Sequence, residues 1–183
     1  MRLGRTQMRI SVKKMTLVGA FLAFTCIISA IPLGVNILGV AVTLQTFAIA
    51  FAGYALGTKY GAATAALYVV IGLILPVYSN MTCGLGVLLG PTGGFLWGFI
   101  PLAILCGYGA KARSGLGKIL LSLGGLLICH ILGLIQFVGV IDMDIVGGML
   151  AVTLPYLPKD VCMLVVAYVA AKPVRRVLKS VDR

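Results

Sequence analysis

The chain has 183 residues, 61% of them hydrophobic and 10% charged, and carries a net charge of +11 at pH 7. So few charges cannot clothe a soluble domain of this size, and period-two alternation is absent, which argues against a closed barrel. With one histidine, His130, no glutamate and four aspartates, the residues for HExxH metalloprotease chemistry or a carboxylate-based ion pump are missing.

The chain opens on Arg2, Arg5, Arg9, Lys13 and Lys14, followed by an apolar run from Met15 to about Leu33. That run is long for a secretory signal, so it reads as a retained transmembrane helix over 15–33. Within it Gly19 and Ala23 stand four residues apart, which lays small residues along one helix face. Further apolar segments follow at 37–57, 60–76, 94–109, 119–138 and 158–173, each on the order of the ~20 residues that cross a hydrocarbon core of about 30 Å. The fold class is therefore an all-α integral membrane protein, a single membrane domain over 1–183 with six transmembrane helices.

Six spans put both termini on one side. The same side then holds Lys59, the group Lys111, Arg113 and Lys118, and the tail Lys172, Arg175, Arg176, Lys179 and Arg183, leaving Lys159 alone on the other. By the positive-inside rule the N and C termini are cytoplasmic. Topogenic charge that also touches anionic membrane lipid accounts for the net charge, and no nucleic acid is needed as a partner.

In the second span, Thr43-Leu44-Gln45-Thr46-Phe47 sets an amide in an apolar helix. Unpaired, Gln45 would cost roughly 2 to 7 kcal/mol on transfer scales, so it requires a partner in a neighbouring helix or in a ligand. Gly53, Gly57 and Gly61, and later Gly94 and Gly98, repeat every four residues and suit close helix packing. The 77–93 gap contains Tyr78, Asn80 and Cys83 and ends in Gly90-Pro91-Thr92-Gly93-Gly94, yet bears no charge. A solvated loop is usually polar, so this external one is expected to fold back over the bundle as a lid or plug. It lacks the lysine and hydroxyl of a Walker loop.

Cys26, Cys83, Cys106, Cys129 and Cys162 are scattered and odd in number, which indicates neither a disulfide framework nor a zinc site. His130 reads as a packed helix residue in the fifth span, and Gln136 as an amide of the same kind as Gln45. Asp142 and Asp144 read as a solvated loop. Pro158 suits the start of the last helix and sets Lys159 and Asp160 in its first turn, where helical amides and the dipole attract an anion. The pair reads as ligand-facing, with Lys159 for a carboxylate and Asp160 to accept from N–H groups, or as an interfacial lysine beside its counter-ion.

Val42-Thr43-Leu44-Gln45-Thr46-Phe47-Ala48, Leu75-Pro76-Val77, the stretch from Gly84 through Gly90-Pro91-Thr92-Gly93-Gly94 to Phe99, and Leu154-Pro155-Tyr156 with Pro158 and Asp160 together resemble the BioY family. Members of that family are biotin-specific substrate-binding (S) components of energy-coupling factor (ECF) transporters. The resemblance covers roughly residues 15 to 172 and implies an S-component-like bundle that binds biotin near its outer face. It also implies a transmembrane coupling subunit and two cytoplasmic ATPases as partners, so that ATP is used by those ATPases and this chain carries no cofactor. Gly19 and Ala23 match the small-residue motif by which the first helix docks the coupling subunit, with glycine in place of alanine.

Where family members read Pro-Gly-Asp-x-x-Lys, this chain reads Pro158-Lys159-Asp160-Val161-Cys162-Met163. The aspartate is kept, while the lysine stands before it and methionine fills the usual lysine position. On this reading biotin's ureido group meets Asp160, Asn80 and Gln45, its rings and chain lie against Tyr78, Tyr156, Phe95 and Trp97, Gly93 brings backbone close, and Lys159 supplies the cation. Two other readings stay open: a diverged ligand such as dethiobiotin, and an intramembrane enzyme using His130 or Cys83.

Overall fold

A computed structural model describes residues 12–31, 34, 36, 37 and 40–181. The chain is nearly all helical. The long helices are α1 (Val12–Ala30), α2 (Gln45–Leu56), α3 (Thr58–Ile71), α5 (Gly93–Lys111), α6 (Gly115–Ile141) and α8 (Leu157–Val181). Two short helices, α4 (Leu85–Leu89) and α7 (Ile145–Gly148), lie in the connections, and α7 runs on into a π-helical turn at Met149–Thr153. A two-stranded antiparallel ribbon, β1 (Asn36–Ile37) and β2 (Val40–Ala41), pairs Asn36 with Ala41.

Each of the six apolar segments holds one long helix, with differences at the ends. In segment 37–57 the helix begins only at Gln45, because Val40-Ala41-Val42-Thr43 takes the ribbon and its approach, the conformation that the β-branched Val40, Val42 and Thr43 favour. Segment 60–76 is helical to Ile71 and then turns, ahead of Pro76, which disfavours helix at the residue before it. By length and apolarity α1, α5 and α6 can each cross a membrane, and Ile145–Thr153 with Leu157–Leu178 forms a fourth such unit bent by 44°. Pro155 lies in the break and lacks the N–H that a continuous ladder needs.

The four-residue glycine repeats are contact points. A Cβ on Gly61 would lie 2.6 Å from the Gly53 Cα, and Gly57, at φ +82°, makes the turn that brings α3 back along α2. On α5, a Cβ at Gly94 would lie 2.1 Å from the Leu132 carbonyl oxygen, and one at Gly98 would lie 2.6 Å from the Cys129 Cα. Backbone-to-backbone approach of this kind is how membrane helices gain van der Waals contact without a hydrophobic drive between them. The buried centre runs through Ile49, Tyr68, Leu102, Cys106 and Ala167, while Ile119, Leu123, Leu127, Ile131 and Ile135 of α6 point outward. An apolar exterior of this kind is what a lipid solvent accepts.

Candidate functional site

α2, α5 and α8 begin at the same end of the bundle, and their first turns enclose a cavity. Its lining includes Gln45 and Thr46 of α2, Thr92, Phe95 and Leu96 at the start of α5, and Tyr156, Lys159 and Asp160 around the start of α8. Ala41 and Thr43 close it from the ribbon side, Val152 from the π-helical turn, and Tyr78, Ser79 and Val87 from the 77–93 segment. Three helix N-termini around one space give it a positive bias beyond the charge of Lys159.

Asp160 is buried and paired twice: Lys159 Nζ lies 2.7 Å from Oδ1, and His130 Nε2 lies 3.2 Å from Oδ2. Thr46 lines the same cavity wall as Asp160. Lys159 also donates to the Thr43 carbonyl oxygen at 3.0 Å, and its ammonium stands 5.8 Å from the centre of the Tyr156 ring. A carboxylate held in this way avoids the cost of a lone buried charge, and removal of one partner would restore that cost.

Gln45 is satisfied within the chain. Its Nε2 donates to Tyr68 Oη at 2.7 Å, and its Oε1 accepts from Thr43 Oγ1 at 3.1 Å. Tyr68 Oη in turn donates to the Val77 carbonyl oxygen at 3.0 Å, and Tyr78 Oη donates to that of Val69 at 2.6 Å. The two tyrosine rings meet edge to face, with centroids 5.7 Å apart. Burial, with Cys83 nearby, raises the Tyr78 phenol above its ordinary value and keeps it a donor.

The 77–93 segment is fastened to the helices. Gln136 Nε2 donates to the carbonyl oxygens of Leu88 at 2.9 Å and Gly90 at 2.7 Å, and the Gly84 N–H donates to the Gly72 carbonyl oxygen at 2.9 Å. Tyr78 and Leu88 are buried, and Asn80 and Met81 adopt left-handed backbone at φ 55° and 56°. The cavity these walls leave is only about 70 Å³. Small-molecule sites run from about 300 Å³ upward, so a vitamin-sized guest requires one wall to move.

Of the residues singled out from the sequence, Gln45, Tyr78, Phe95, Tyr156, Lys159 and Asp160 line this cavity. Asn80 is exposed on a 3₁₀ turn, Trp97 is exposed on α5, and neither is part of the lining. Gly93 is buried outside the lining, where a Cβ would lie 1.8 Å from the Leu88 carbonyl oxygen. Gly19 and Ala23 are exposed on α1, and a Cβ on Gly19 would meet nothing within 4 Å. Cys83 is exposed. His130, behind the cavity against Asp160 and edge-on to Phe95 at 5.6 Å, is the site residue that sequence reasoning missed. The available signal was one histidine in an apolar helix of a chain with few buried carboxylates to pair it.

The family model described as "BioY family" matches residues 5–180. The chain is 42% identical over 106 residues to the biotin transporter BioY of Thermotoga maritima, an alignment covering 57% of this chain and 60% of that protein. It is 32% identical to the probable biotin transporter BioY of Pyrococcus horikoshii over 87% of this chain and 94% of the other. With the biotin transporter BioY of Rhodobacter capsulatus it shares 31% identity over 88% and 93%. A crystal structure described as the S-component for biotin from an ECF-type ABC transporter superposes with a TM-score of 0.78, at 25% identity and 92% coverage of each chain.

Proposed function

This chain belongs to the BioY family, and from that premise we propose how it takes up its substrate. It is a multi-pass protein of the prokaryotic cell membrane that binds biotin with high affinity for uptake, as the S-component of an ECF-type ABC transporter. The observation that carries the reading is the pair of half-buried Lys159 and buried Asp160, set among aromatic and hydroxyl side chains where three helices begin. In this role the protein is a transporter subunit and not an enzyme.

Biotin offers ureido N–H donors at one end and a carboxylate at the other, separated by fused rings and an aliphatic chain. Lys159 and Asp160, 2.7 Å apart, cannot serve both ends in the geometry they hold now. On binding, Asp160 accepts from the ureido group, and Lys159 leaves the Thr43 carbonyl and swings toward the carboxylate. The thiophane ring and chain lie against Tyr78, Phe95 and Tyr156, and Gln45 and Thr46 complete the polar wall. Asn80 reaches the ligand only through movement of the 77–93 segment, the wall that opens for entry, whereas Trp97 is exposed on α5 and Gly93 packs on Leu88, both outside the cavity lining.

The energetics require partners. On this reading six spans put both termini in the cytoplasm and the cavity near the outer face, and the distribution of lysine and arginine supports it. A transmembrane coupling subunit docks on α1 at Gly19 and Ala23, two cytoplasmic ATPases hydrolyse ATP, and the S-component topples to release biotin inward. This chain needs no cofactor of its own.

Titration calorimetry of the vitamin-free protein in detergent, with biotin, dethiobiotin and riboflavin, tests the reading. Tight one-to-one binding of biotin is expected. A folded protein that ignores biotin but binds dethiobiotin would move the assignment to a diverged ligand.

A further inference from the structure

We infer that the end of the bundle opposite the cavity holds one anionic phospholipid, its headgroup in a basic cavity and an acyl chain in the adjoining groove between α6 and α8. The inference rests on the membrane location alone and not on the identity of the transported solute.

The basic cavity, about 360 Å³, is lined by Lys111 at the end of α5 and by Lys172, Arg175 and Arg176 of α8, with Tyr54 and Tyr168 as its apolar wall. No acidic residue lines it. The groove, about 490 Å³, is lined by Ile119 and Leu123 of α6 and by Val161 and Val165 of α8, with Lys118 at its α6 side. Tyr54 and Tyr168 belong to both linings, and their rings meet edge to face with centroids 5.4 Å apart. The two spaces are therefore one amphipathic site divided by a pair of rings.

Two of the cations are placed by contacts. Lys172 Nζ stands 4.8 Å from the centre of the Tyr168 ring, and the Arg175 guanidinium donates to the Ala110 carbonyl oxygen. Lys111 and Arg176 complete a cluster with no counter-ion in its lining, which is complementary to a phosphate diester. A free phosphate would use only the basic part. The groove, with Ile119, Leu123 and Val165 exposed along it, is open from the side to a hydrocarbon chain attached to that phosphate. Losing two of the cations that face an anionic lipid predicts at least about a tenfold loss of affinity.

Native mass spectrometry of the protein in detergent tests this, with dioleoyl phosphatidylglycerol, dioleoyl phosphatidylcholine and inorganic phosphate as probes. One phosphatidylglycerol is expected to be retained at least about tenfold more tightly than phosphatidylcholine, with phosphate failing to displace it. Lys172→Gln combined with Arg176→Gln should bring phosphatidylglycerol down to the phosphatidylcholine level, Val165→Trp should lower retention of both, and Arg113→Gln should change neither. Biotin titration of the same variants reports the fold and the capture end separately. Equal retention of the two lipids, displacement by phosphate, or a double variant that keeps phosphatidylglycerol and loses only its coupling subunit would overturn the proposal.

Discussion

His130 and Asp160 lie thirty positions apart in the chain, yet His130 Nε2 approaches Asp160 Oδ2 to 3.2 Å. Lys159 takes the other carboxylate oxygen at 2.7 Å, so the one buried carboxylate among the described residues stands between an imidazole and an ammonium. His130 does not line the cavity. Its part is to position Asp160 and to hold Phe95 edge-on at 5.6 Å.

His130→Ala should therefore weaken biotin binding without abolishing the fold. A hydrogen bond to a charged group is worth about 1.5 to 3 kcal/mol, or roughly ten- to hundredfold in affinity where the loss falls on binding. His130→Gln, which restores a donor, should recover part of it. Calorimetry on both variants, with thermal melting as the fold control, checks this; wild-type affinity in His130→Ala would remove His130 from the site.

How much of this could be read in the chain is clearest around the same residues. Hydropathy made the six helical segments legible because long apolar runs have few alternatives in a chain with so little charge. The start of α2 was not legible, since a short apolar run such as Val40-Ala41-Val42 suits a strand and a helix end equally. Lys159, Asp160 and Gln45 were visible as polar side chains where hydropathy alone would forbid them. The His130–Asp160 contact was not, because it depends on how α6 and α8 pack and no local spacing encodes it. The outward position of Asn80 likewise follows from a turn with two left-handed residues, which composition does not specify.

The swing proposed for Lys159 predicts a difference between two ligands. Lys159→Ala should weaken biotin by about tenfold or more, as expected for a charge-assisted contact, and weaken biotin methyl ester much less. Met163 is not in the cavity lining, so adding Met163→Lys should not restore biotin affinity. Equal losses for acid and ester would mean that Lys159 only supports Asp160. Asp160→Asn should weaken both ligands, because it removes the charge and one of the two oxygens proposed to accept from the ureido group and leaves Lys159 without its counter-ion.

The fastening of the 77–93 segment predicts a kinetic effect. Gln136→Ala removes the side-chain donor that the Leu88 and Gly90 carbonyls share and leaves Gly90 with its bond from the Gly93 N–H, at a cost of about 0.5 to 1.5 kcal/mol for each hydrogen bond lost. Biotin dissociation, followed by chase with unlabelled ligand, should become faster. Gly93→Ala should act more severely and on stability, because its Cβ would stand 1.8 Å from the Leu88 carbonyl oxygen and 2.5 Å from Gln136 Nε2. Its melting temperature should fall, whereas Gly86→Ala, with open space around it, should melt near the wild type.

The docking proposed for α1 can be separated from capture because Gly19 and Ala23 lie outside the cavity lining. A side chain at Gly19 meets nothing in the chain within 4 Å, and Ala23 is exposed, so Gly19→Leu and Ala23→Leu add bulk outward and leave the bundle alone. Close helix approach depends on small residues at the contact, and a leucine there keeps the partner's backbone away. Both variants should bind biotin like the wild type in detergent, yet fail to co-purify with a coupling subunit and fail to support biotin uptake in cells. Normal uptake by the doubly substituted protein would move the docking surface off this face of α1, and loss of biotin binding would show that the face serves the bundle itself.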